Sequence, residues 1–246
     1  MENNNTLNDN NIDSQKIPLA QKVILAVILL GYPLFSTLMY YINPPSERLI
    51  ESRIIQVYVP ALFFQMMIIF GIVFTILKTP VAANADRWGL SKSLTSLGIK
   101  KSDFSIINLA AGIVFLFAAV IVLNIISNII NYYNIFQAED IAYLLPRTSG
   151  EKVFWIIISI AAGIAEEICF RGYVISRMAR LTGNIWPGVL LGSISFGFGH
   201  LYQGLSGVVL ISIYGFMFCL LYLARGSLIP CIIAHALQDI LAAFAV

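Results

Sequence analysis

The sequence predicts an all-α fold, a polytopic transmembrane helical bundle of about seven spans, plus or minus one, and three observations predict it. The chain of 246 residues is 59% hydrophobic and 11% charged, with a mean hydropathy of +0.83, beyond what a soluble domain carries. Apolar runs lie near 23–42, 57–77, 105–130, 153–175, 185–201, 206–224 and 228–246, most of them near the roughly 20 residues a spanning helix needs. The longest connection between them, 78–104, is too short for a soluble domain.

Taken in order, residues 1–22 are asparagine-rich and aperiodic, which predicts a disordered cytoplasmic tail rather than the basic start of a cleaved signal. Residues 23–246 then form a single membrane domain, the first run staying as an anchor. The fifth run is short and glycine-rich, so it is expected to be partly interfacial or re-entrant, which requires protein or water around its backbone. No internal repeat is found, which weighs against a pseudo-symmetric transporter.

Seven spans place Lys16, Lys22, Lys78, Arg87, Lys92, Lys100, Lys101, Arg177, Arg180 and Arg225 on one side, against Arg48, Arg53, Arg147 and Lys152 on the other. The positive-inside rule then sets a cytoplasmic N-terminus. Cys169, Cys219 and Cys231 all fall in apolar runs and predict no disulfide. Trp155, Trp186, Tyr40 and Tyr41, close to run ends, need only interfacial anchoring. The basic loop 78–101 reads as resting near anionic lipid. The bilayer is the expected partner, and no nucleic acid is.

Six ionisable groups remain within the spans: Glu166, Glu167, Arg171, His200, His235 and Asp239, including both histidines of the chain. A charge at the bilayer centre costs on the order of 3 kcal/mol, so such groups are expected to serve function. Residues four apart share a helix face, so Glu167 stacks over Arg171 in the favourable orientation. Adjacent residues diverge, which leaves Glu166 free to take and return a proton. His235 and Asp239 repeat the four-residue spacing; the carboxylate either orients the imidazole or lines a cavity beside it. Counted from the cytoplasmic helix ends, His200 lies roughly 24 Å deep and His235 about 15 Å. Glu166 reaches a matching depth only if its helix continues to about Leu181.

Glu166-Glu167-x-x-x-Arg171, Phe196-x-x-x-His200 and His235-x-x-x-Asp239, in this order over 150–246, resemble the signature of the CPBP family. That family includes the CAAX prenyl endopeptidases and the bacterial Abi proteins linked to bacteriocin processing or self-immunity. The resemblance implies a membrane-embedded protease cleaving a peptide or membrane-protein substrate, with Glu166 and His200 activating water. It also implies His235 and Asp239 at the oxyanion, and Glu167 with Arg171 holding the helix. Many members carry Asn at the place of Asp239, and an ionised carboxylate cannot donate to an oxyanion, so Asp239 is assigned to orient His235.

A reaction without metal is favoured, while zinc or another divalent ion held by Glu166, His200 and His235 remains open. Compact loops and a basic cytoplasmic side suggest a bacterial plasma-membrane protein, with a leader-bearing peptide or membrane-protein tail as substrate. The competing readings are a non-catalytic immunity or scaffold protein, in which Glu167 and Arg171 form a purely structural ion pair, and a proton-coupled transporter.

Overall fold

Apolar sequence at helical length becomes helix in lipid because no other open structure satisfies the backbone. The computed structural model describes residues 17–42, 52–77, 95, 97–136 and 139–244, and among them it holds seven membrane-type helices and no strand. We number them α1 (Leu19–Ile42), α2 (Ile54–Leu77), α3 (Ile106–Tyr132), α4 (Ser149–Thr182), α5 (Trp186–Phe198), α6 (Gly204–Arg225) and α7 (Ile229–Ala242). Five segments are long and apolar enough to cross a membrane; α5 and α7 are shorter.

The outcome differs from the sequence expectation at three places. The first helix starts at Leu19, inside the stretch read as tail, while residues 1–16 lie outside the described residues. The fourth helix runs from Ser149 to Thr182, 34 residues against the shorter run expected, and so reaches past Leu181. The seventh helix has only 14 residues, about 21 Å of rise, less than the hydrocarbon thickness. Of the basic residues used to set orientation, Lys16, Arg48, Lys78, Arg87 and Lys92 lie outside the described residues, as does most of the basic loop 78–101.

Local signals fix the helix ends. Thr148 caps α4: its Oγ1 accepts from Glu151 N at 3.2 Å while Glu151 Oε2 accepts from Thr148 N at 3.0 Å, a reciprocal capping box. Gly183, at φ 72°, terminates α4, a left-handed turn that glycine adopts without strain.

The two short helices pack among the longer ones. α5 packs on α6, α4 and α1, and α7 lies against α4 and α3. Small residues allow these approaches: a Cβ on Gly163 of α4 would sit 3.1 Å from Ala236 N of α7, and one on Gly199 would run into the Tyr32 ring of α1. A core of Ile72, Phe170, Tyr173, Val174 and Phe196 joins α2, α4 and α5. By contrast α3 turns Val114, Phe117, Ile121 and Ile125 outward, as a lipid-facing helix does.

At the end of the bundle where α4 begins, residues 139–147 cross over as a strap. Tyr40 Oη donates to Glu139 at 2.8 Å, Arg53 Nε to the Tyr143 carbonyl at 2.8 Å, and Tyr58 Oη to the Leu144 carbonyl at 2.8 Å. Glu139 N donates to the Gln203 carbonyl at 3.3 Å, tying the strap to the turn that follows His200.

Candidate active site

The site is built around a departure from regular helix. α4 is α-helical to Glu167, widens into a π-helical stretch over Ile168–Val174, then resumes α geometry from Ile175. All seven residues of the wide stretch are buried, and such stretches recur at functional sites. Arg171 sits within it.

Glu167 and Arg171 meet as their spacing predicts. Arg171 Nη1 donates to Glu167 Oε1 at 3.0 Å, with both side chains sealed. The remaining guanidinium surface is covered by carbon and carbonyl. Nη2 donates to the Gly215 carbonyl at 3.1 Å, and the Phe196 and Phe218 rings lie 4.8 Å and 4.9 Å from Cζ, a desolvated cation–π sandwich.

The same Glu167 oxygen accepts a second bond, from His235 Nδ1 of α7 at 2.7 Å. A carboxylate only accepts, so Nδ1 carries the proton and the ring orientation is fixed. Its other nitrogen, Nε2, faces two acids: Glu166 Oε2 and Asp239 Oδ2, each at 3.7 Å. Both separations exceed a direct hydrogen bond and suit a water held between the groups.

Accessibility separates the acids. The Glu167 side chain is 0% exposed, Glu166 20% and Asp239 31%. One carboxylate is enclosed and structural in its contacts; two remain reachable. Glu166 Oε2 is itself buried without a hydrogen-bond partner, an unsatisfied acceptor of the kind seen where a reactant is to bind.

His200 ends α5. Its Nδ1 lies 2.8 Å from the Phe196 carbonyl, which can only accept, so Nδ1 is the donor and Nε2 is left as the outward nitrogen. Phe196 stands between the histidines, its ring edge-on to His200 at 4.9 Å and to His235 at 6.1 Å. Glu166, Glu167, Arg171, His235 and Asp239 thus form one contact network, and His200 joins it through Phe196. Among the described residues no ion pair links His200 to Glu166.

Two features differ from the sequence expectation. Asp239 was assigned to orient His235, but the close contact on that ring comes from Glu167, whose chain position gave no hint of a partner on α7. Trp155, read as an interfacial anchor, donates Nε1 to the Asp239 carbonyl at 2.6 Å and stacks edge-on to Tyr58 at 5.6 Å, holding the end of α7 against α4 and α2. The signal was present: residues eleven apart share a helix face, and Trp155 precedes Glu166 by that interval. Phe218 and Gly215 carried no such signal.

Glu166, His200 and His235 supply the ligand types that zinc takes. Among the described residues no three His, Cys, Asp or Glu side chains converge in a metal-holding group; the Nδ1–H bond to Glu167 leaves Nε2 as the open nitrogen of His235. The three cysteines are free and buried.

Comparison with known proteins gives one result. Residues 148–241 match the family model described as type II CAAX prenyl endopeptidase Rce1-like, a span that contains every residue of the network and His200. No curated protein and no solved structure matches the chain. The motif order and the all-helical fold agree with that match: residues 148–241 are similar to the Rce1-like type II CAAX prenyl endopeptidase domain.

Proposed function

We propose that this protein is an intramembrane endopeptidase that hydrolyses a peptide bond with Glu166 as general base. The observation that carries the reading is the division between the two adjacent glutamates: Glu167, fully enclosed, is held through Oε1 by both Arg171 and His235, whereas Glu166, 20% exposed, has His235 Nε2 no closer than 3.7 Å. A carboxylate committed to an ion pair cannot serve as a base, and one left open beside an imidazole can.

Water held by Glu166 and His200 Nε2 attacks the scissile carbonyl carbon while Glu166 takes one of its protons. The carbonyl becomes an oxyanion, and His235 in its imidazolium form donates Nε2–H to it. Glu167 supports that charge through Nδ1, and Asp239 supports it from the far side of Nε2. Collapse of the tetrahedral intermediate breaks the C–N bond as Glu166 returns its proton to the departing amine. Arg171 acts through Glu167 and is a positioning residue. The substrate is a leader-bearing peptide or the tail of a membrane protein, and the basic bias at the Lys22 end supports a cytoplasmic N-terminus.

Glu166→Gln preserves shape and removes the base. Membrane peptidomes of cells carrying the native chain and this variant at equal expression test the reading. The expected outcome is one or more cleavage products lost or reduced by a factor of about 10² to 10⁴. Identical peptidomes would overturn it and favour a non-catalytic immunity or scaffold role.

A further inference from the structure

A second buried arginine on α4 has no use in the chemistry above. Arg177 is 5% exposed, and among the described residues it forms no ion pair. Its guanidinium lies 5.0 Å from the Tyr173 ring, Nη1 donates to Ser176 Oγ at 3.3 Å, and Nε is fully enclosed without a partner. Interfacial arginines ordinarily lift their charge into water; a buried charge without a counter-ion is costly. The position calls for an anion.

A place for one adjoins it. A cavity of about 500 Å³ opens between α1, the end of α4 and α5, lined by Leu25, Leu29, Leu191 and Ile194, with Lys22 as its only charged residue among the described residues. Leu181, one turn beyond Arg177, also lines it. Tyr173, one turn before Arg177, donates its hydroxyl to the Gln21 carbonyl at 2.9 Å, which brings the guanidinium beside the segment that carries Lys22. The cavity thus combines an apolar wall with Lys22 at its rim, and Arg177 lies behind that wall, one turn before Leu181.

We propose that this cavity binds one anionic membrane phospholipid, its phosphate between Arg177 and Lys22 and an acyl chain along α1 and α5. Charge complementarity selects an acidic headgroup over a zwitterionic one, and the apolar wall selects a lipid over a free anion. The site lies between α1, the end of α4 and α5 and is independent of the proteolytic reading.

The test is binding, not cleavage. Full-length protein in detergent is titrated with phosphatidylglycerol, phosphatidylcholine or inorganic phosphate and followed by native mass spectrometry and thermal unfolding. One tightly held phosphatidylglycerol and a raised Tm are expected, with little response to the other two. Lys22→Glu and, where it folds, Arg177→Gln each weaken the affinity about fivefold or more. Equal retention of phosphatidylcholine, stabilisation by inorganic phosphate alone, or undiminished binding by Lys22→Glu would each overturn the assignment.

Discussion

Arg171 and Arg177 sit on one helix, both buried, and the protein treats them in opposite ways. Arg171 is neutralised from within by Glu167, the Gly215 carbonyl and two aromatic rings. Arg177 is held by a tyrosine ring and a serine hydroxyl, with no acid among the described residues. The first lies where lipid and water are excluded by protein on every side, so its counter-charge has to be part of the fold. The second lies one turn before Leu181, which lines the cavity between α1, the end of α4 and α5. Burial alone does not tell what a charge is for; the origin of its counter-charge does.

The largest expected effect breaks the first half of that contrast. Arg171→Met removes the permanent counter-charge of the buried Glu167 and leaves it only the His235 bond, costing about 3–5 kcal/mol, so thermal unfolding in detergent should show a large loss of folded protein and no cleavage. The double change Arg171→Met with Glu167→Leu removes both charges and should recover most of the stability. It should not recover activity, because His235 Nδ1 then has no acceptor; recovered cleavage would show that Glu167 serves structure alone.

Trp155→Phe comes next. It keeps the ring but removes the bond to the Asp239 carbonyl, expected to cost about 1 kcal/mol and to raise KM or lower kcat through drift of the α7 end. An unchanged melting curve together with unchanged cleavage would remove Trp155 from the site. The smallest effect belongs to Arg177→Met. In lipid-free detergent its stability should stay within about 1 kcal/mol of the native protein in either direction, since no internal partner is orphaned. A loss as large as that of Arg171→Met would erase the contrast.

Much of this was legible in the chain. Apolar length located every helix, and the four-residue spacing placed Glu167 on Arg171 because that contact is local to one helix. Contacts between helices were less accessible. That one Glu167 oxygen serves both Arg171 and His235 depends on how α7 crosses α4, which Gly163 and Ala236 permit by close approach but which spacing does not encode. The two short helices were only half foreseen: glycine marked α5, while the end of α7 at Ala242 has no breaker such as the glycines after α4 and α6. The apolar spans singled out the six ionisable residues and the family resemblance suggested roles for them; neither foresaw that Glu167, at 2.7 Å, would lie closer to the His235 ring than Asp239, at 3.7 Å.

The π-helical stretch of α4 has a consequence for how the chain can vary in length. A π turn accommodates one residue more than the α turn it replaces. Losing a single residue between Ile168 and Val174 can therefore be absorbed by rewinding, leaving the flanking faces aimed as before, whereas a loss elsewhere in α4 swings everything beyond it by about 100°. The segment that carries the sealed cation is thus also the helix's one built-in slack, and a shortened relative would be expected to have taken it up there.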